Sequence, residues 1–73
     1  MDIKHIVLVD DHVIVRNGLK ELIEKLGPFS ISQQFDNGEE LLAKLPFKEQ
    51  VDLIILDLNL KDMPGDTVVM ALA

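Results

Sequence analysis

The sequence contains no cysteine, so neither a disulfide framework nor a thiolate metal centre is available to it. No apolar run approaches the roughly 18 residues of a membrane span, and Met1 to Val9 is too short and too acidic at its flank for a signal peptide. The cytoplasm is therefore the expected location, with no membrane partner. Basic residues are scarce, seven Lys and Arg against thirteen Asp and Glu, and those seven form no cluster of the kind that grips a phosphate backbone. That argues against nucleic-acid binding by these residues themselves. Neither GxGxxG nor GxxxxGK(S/T) occurs, which argues against the common nucleotide-binding loops. Internal repeats and low-complexity segments are also missing.

Hydrophobic residues make up 48% of the 73, enough for a packed core rather than disorder. A chain this short holds at most one small domain, and one of marginal stability. The stretch that organises it is Asp52 to Gly65, DLIILDLNLKDMPG. Leu53 to Leu56 is a continuous apolar run, which fits a strand buried on both faces of a parallel sheet. The residue after such a strand stands at the carboxyl edge, where open α/β folds build their sites. Here that residue is Asp57.

The same pattern opens the chain. His5 to Val9, HIVLV, predicts a first strand that ends at Asp10-Asp11. From His12 the period changes: Val15, Leu19, Leu22 and Leu26 form one helical stripe. Arg16, Lys20, Glu21, Glu24 and Lys25 fall on the other side, with Glu21 and Lys25 spaced as an i,i+4 pair and Asp11 as a candidate N-cap. Gly27-Pro28 stops this helix. Phe29 to Phe35 alternates and predicts a half-buried or edge strand. Asn37 with Glu40 resembles a capping box for a short helix through Leu41, Leu42 and Leu45, ending at Pro46. Asp66-Thr67 could cap a third helix over Val68 to Ala73.

The order is β-α-β-α-β-(α), which implies a parallel sheet covered on both faces. A third strand apolar on both faces calls for a neighbour on each side, and no fourth strand follows. The expectation is that residues 1–73 are part of a longer domain, or that a second copy associates along the open sheet edge.

Asp10, Asp11 and Asp57 then converge at one edge. Three carboxylates so close repel one another, and hard oxygen donors with room for water suit Mg²⁺. A carboxylate beside a bound divalent cation can attack phosphorus and form an aspartyl phosphate. His5 and His12 are read as surface or packing residues, Lys61 and Asp62 as a solvated loop, and Met63 and Met70 as core fillers.

Asp10-Asp11 after a first strand, Asp57 after a third and a loop ending in Gly65 resemble the receiver domain of bacterial response regulators. The resemblance covers all 73 residues but only the first half or so of that domain: three strands, two helices and the start of a third. It implies a flavodoxin-like doubly wound sheet of order 2-1-3-4-5. By position, Asp57 matches the phospho-acceptor. Asp11, the Asp57 side chain and the backbone carbonyl of Asn59 match the Mg²⁺ ligands, and Asp10 matches the acid that reaches the metal through water. The implied partner is a sensor histidine kinase. The run DDHVIVRNGL, Asp10 to Leu19, is similar to the subfamily that carries a C-terminal helix-turn-helix domain and regulates transcription. No such output domain is in these residues, so contact with DNA would belong to a parent protein.

Two departures stand out. Lys61 occupies the place where the family usually has Pro, four residues after the acceptor, with Pro64 at seven. The family's hydroxyl residue after strand four and its Lys after strand five would lie beyond residue 73, and Thr67 is in the wrong element to replace the first. Two other functions compete. An aspartate-nucleophile phosphatase wants a second acid two residues on, where this chain has Asn59. A receiver-like interaction module that is never phosphorylated would keep its acids for structure alone. The signalling, non-enzymatic reading leads.

Overall fold

The computed structural model describes residues 2–58 and 60–72. Strand β1 spans Lys4–Val9, helix α1 Val13–Leu26, β2 Phe29–Phe35, α2 Gly38–Ala43, β3 Leu53–Leu56 and α3 Gly65–Leu72. The three strands form one parallel sheet in the order β2-β1-β3. This matches the expected α/β architecture and is the start of the order 2-1-3-4-5.

Strand β1 lies in the centre because it is apolar on both faces. Val7 and Val9 pack with Phe35, Leu41, Leu60 and Val68 on the side of α2 and α3. Ile6 and Leu8 pack with Ile23 and Ile31 on the side of α1. All four β1 residues are at most 3% exposed, and each such burial is worth about 1.5–3 kcal/mol.

Strand β2 is the half-buried edge strand expected, but its alternation is broken. Ile6 pairs with Ile31 and Val7 with Gln33, so Ser32 is an extra, bulged residue. The bulge moves Phe35 to the face opposite Phe29 and Ile31. A one-residue slip exchanges the faces of a strand, and here it lets one short strand serve both cores. The Ile31 N–H donates to Glu24 Oε2 at 3.1 Å, so Glu24 braces the sheet instead of lying free in solvent.

Four expectations are corrected. Leu19 is half-buried and Ile23 buried, and they form the inward line of α1, whereas Val15, Leu22 and Leu26 of the predicted stripe are at least half exposed. The helix carries more apolar surface than a narrow sheet can cover. Glu21 and Lys25 form no ion pair among the described residues, and His12 rather than Asp11 is the N-cap of α1, with no side-chain capping bond. Strand β3 is only half-buried, with Leu53 at 52% exposure, because its outer side has no strand beside it among the described residues.

The other ends hold closer to expectation. Asn37 Oδ1 caps α2 by accepting from the Glu40 N–H at 2.7 Å. Gly27 ends α1 in extended backbone rather than a left-handed turn. Helix α3 starts at Gly65, so Asp66 and Thr67 lie in its first turn rather than before it. Met63 packs on the core, but Met70 is exposed.

Gly65 closes the loop that follows Asp57. Its N–H donates to Leu58 O at 3.1 Å, and an added Cβ would sit 2.5 Å from Leu58 Cα. That neighbour is backbone and cannot swing aside. Gly65→Ala should therefore lower stability by about 1–3 kcal/mol. Gly18→Ala, with nothing within 4 Å in an exposed stretch of α1, should raise it by up to about 1 kcal/mol. Urea denaturation of both variants checks the pair, and equal effects would contradict this reading of the loop.

Candidate functional site

The site is built by the sheet ladder running one residue past each strand. Asp57 N–H donates to Val9 O at 2.9 Å, and Asp10 N–H donates to Phe35 O at 3.1 Å. These two backbone bonds seat Asp57 beside the end of β1 and Asp10 beside the end of β2. Asp10 is buried, and its backbone carbonyl accepts from Arg16 Nη1 at 2.8 Å. Its Oδ1 accepts the His12 N–H at 2.8 Å, so the acid that follows β1 also opens the turn into α1.

Asp10, Asp11, His12 and Asp57 each place a ligand-type atom within 4.8 Å of all the others. The structure thus brings together the three predicted acids. The fourth predicted donor, the carbonyl of Asn59, lies outside the described residues. His12 was expected to be a surface or packing residue, yet its ring joins the cluster while staying largely exposed. Its Nδ1 is 2.8 Å from Asp11 Oδ1, 3.1 Å from Asp10 Oδ1 and 3.9 Å from Asp57 Oδ2. Its adjacency to the acid pair was visible in the sequence, but the fold of the ring back over them was not.

Asp11 shows what the cluster lacks. Its side chain is only 9% exposed, and neither carboxylate oxygen has a hydrogen-bond partner. The His12 ring approaches one of them without the alignment of a hydrogen bond. A buried carboxylate left in this way costs about 1–3 kcal/mol or more. A hard divalent cation with open positions for water would satisfy it. The donor set therefore fits Mg²⁺, with Asp11 and Asp57 as the residues that would hold it.

Asp62 is the positioning residue that sequence reasoning missed. Its Oδ1 accepts the Gly38 N–H at 3.0 Å and its Oδ2 the Glu39 N–H at 2.8 Å. These donors are orphan groups of the first turn of α2. A side chain expected in a solvated loop thus ties the loop after Asp57 to the loop after β2. The separation of 24 residues hid this contact, and only an acid in a Pro/Gly loop hinted at it.

The surrounding acids divide by what faces them. The two backbone N–H groups hold the Asp62 carboxyl below its usual value. At the opposite end of the sheet, the His5 N–H and then the Gln50 amide do the same for Asp52. Glu40 is pushed up, first by a hydrogen bond to the Asp36 carboxylate and then by that group's charge.

A family model described as "Response regulator receiver domain" matches residues 6–73. The probable transcriptional regulatory protein SgaR of Hyphomicrobium methylovorum is 41% identical over 61 residues, 84% of this chain and 28% of that protein. The nitrate/nitrite response regulator protein NarL of Escherichia coli K12 is 38% identical over 60 residues, 82% of this chain and 27% of that protein. A crystal structure of a LuxR-family two-component response regulator from Aurantimonas sp. SI85-9A1 superposes with a TM-score of 0.81 at 30% identity. That match covers 92% of this chain and 47% of the other. The RcsB response regulator of Salmonella typhimurium gives a TM-score of 0.84 at 25% identity, covering 99% and 36%. The chain spans about a quarter of the length of the curated relatives it matches.

Two outcomes follow from this geometry. Asp11→Asn removes one of three mutually repelling carboxylates, a nine-tenths buried one whose oxygens accept no hydrogen bond, so without divalent cation it should stabilise the fold by about 1–2 kcal/mol and abolish any rise in melting temperature on adding Mg²⁺. Melting curves with and without the ion check this, and an Asp11→Asn protein less stable than the parent overturns it. The second concerns acid. The folded-state pKa of Asp62 lies below its unfolded value of about 3.9, so its contribution is complete above that pH and is lost as pH falls through the folded value. Asp62→Asn should flatten the decline of melting temperature below about pH 4, and Asp52→Asn should remove a further share. An unchanged slope in Asp62→Asn rules out the tie between the two loops.

Proposed function

The chain belongs to the response regulator receiver family, and we propose that it accepts a phosphoryl group on Asp57 from a sensor histidine kinase. The observation that carries this reading is the Asp57 carboxylate standing within 4.8 Å of Asp10 and Asp11, with both Asp11 oxygens buried and accepting no hydrogen bond. In the proposed transfer an Asp57 oxygen attacks phosphorus, the P–N bond of a phosphohistidine breaks, and the released imidazole takes up a proton. The product is an acyl phosphate. Asp11 and Asp57 would hold the metal and Asp10 would act through water, and the family resemblance assigns the remaining protein ligand to the backbone carbonyl of Asn59. Mg²⁺, when bound, polarises the phosphoryl oxygens and offsets the negative charge that collects there. Asp10 is fixed for its part by Arg16 at its carbonyl and by the His12 N–H at its carboxylate.

The matched relatives are named as transcriptional and response regulators, which supports control of transcription as the role of the parent protein, with DNA contacted by an output domain outside these residues. Among the described residues no helix is long and apolar enough to cross a membrane, in keeping with a proposed cytoplasmic site of action. Among the described residues no strand lies beside the outer edge of β3, and that edge is the proposed surface for self-association with a second copy.

The test is intact mass after incubation with a small phosphodonor and Mg²⁺. One hydroxylamine-labile phosphoryl group should be gained, and Asp57→Asn should gain none. No adduct on the parent chain, or an adduct that survives in Asp57→Asn, rejects the assignment.

A further inference from the structure

His12 is the member of the cluster that the phosphoacceptor reading does not use. Two carboxylates, a carbonyl and water suffice for a hard oxygen-preferring ion. Yet the ring, with 59% of its side chain exposed, is not packed into a core and still turns its Nδ1 toward all three acids. Donor atoms at adjacent corners of an octahedron of about 2.1 Å radius lie about 3.0 Å apart, and those at opposite corners about 4.2 Å apart. The Nδ1 distances of 2.8 Å to Asp11 and 3.9 Å to Asp57, the two carboxylates that would bind directly, fall on that scale, while the 3.1 Å contact with Asp10 is a hydrogen bond to the acid that acts through water. The second observation is Asp11 itself, whose side chain is nine-tenths buried and whose two oxygens accept no hydrogen bond.

We infer that His12 supplies a nitrogen ligand through Nδ1, so that this site favours divalent cations that accept imidazole, such as Mn²⁺, Co²⁺ and Zn²⁺, over Mg²⁺. The inference rests on the metal site of the proposed function and deepens it. Mg²⁺ keeps its waters and prefers oxygen, so an imidazole adds little for it. Later first-row ions bind nitrogen more strongly, in the order Mn²⁺ below Co²⁺. The competing role for the same contacts is an internal counter-ion, in which the ring neutralises the acids and must leave before any cation enters. The two roles give opposite results when the ring is removed.

The variant is His12→Ala. His12 makes no side-chain capping bond in α1, and its backbone N–H, which reaches Asp10, is kept. Mn²⁺ and Mg²⁺ binding to the full chain and to the variant would be measured at one pH, with electron spin-echo spectroscopy of the Mn²⁺ complex to detect coordinated nitrogen-14. The only other histidine, His5, lies in β1 with its N–H bonded to Asp52 at the far end of the sheet. A nitrogen coupling in the parent chain should vanish in His12→Ala. The ratio of Mn²⁺ to Mg²⁺ affinity should fall at least about tenfold, the loss that even outer-sphere partners of metal ligands can cause. Mn²⁺ bound without nitrogen coupling, or a variant that binds both ions equally well or more tightly, overturns the inference and leaves the carboxylate site standing. If the parent chain binds neither ion, the metal site of the proposed function fails and this inference fails with it.

Discussion

Three carboxylates at the ends of two neighbouring strands repel one another, and the carboxyl edge of this sheet is arranged around holding them together. Two unit charges about 4 Å apart cost about 4 kcal/mol where the effective dielectric is near 20. A single protein hydrogen bond returns about 1 kcal/mol, so no one contact could hold the cluster. What holds it is the ladder itself. Asp57 is pinned by its N–H to Val9 and Asp10 by its N–H to Phe35, and both bonds extend pairings that the buried residues of β1 already enforce. Core burial therefore sets the positions of the acids, and the Asp11 oxygens are left without a hydrogen bond.

The two loops beyond the strands are coupled by the same economy. The first turn of α2 has N–H groups that its own helix cannot satisfy. Asn37 takes one of them and Asp62 takes two. The segment after Asp57 is thereby anchored at Asp62 and again at Gly65, whose N–H meets Leu58 O. Lys61 stands where the family usually has Pro, and these contacts on either side of it constrain the loop without the fixed backbone angle that Pro would bring.

Much of this was legible in the residues. Apolar runs ending in acids located β1 and β3 and the site between them, because a short continuous run of Val, Ile and Leu marks a sheet strand even where, as at β3, it is only half-buried among the described residues. Asn37 three residues before Glu40 marked the start of α2 for a purely local reason. The stripe on α1 misled, because periodicity identifies an apolar face but not how much of it a given sheet can cover. The strand at Phe29–Phe35 was placed well, while its change of face was not. Nothing in FSISQQF marks Ser32 as the residue that β1 leaves unpaired.

The sequence by itself determined the order of elements, the parallel α/β class and the convergence of Asp10, Asp11 and Asp57, since each follows from composition and position along one strand or one turn. Only the tertiary structure decided which side chains complete the site. Asp62 reaches α2 across 24 residues, Glu24 reaches the Ile31 N–H from another element, and the His12 ring folds over acids it merely follows in the chain. Such contacts depend on the separation and direction of packed elements. That information exists only after the core has formed.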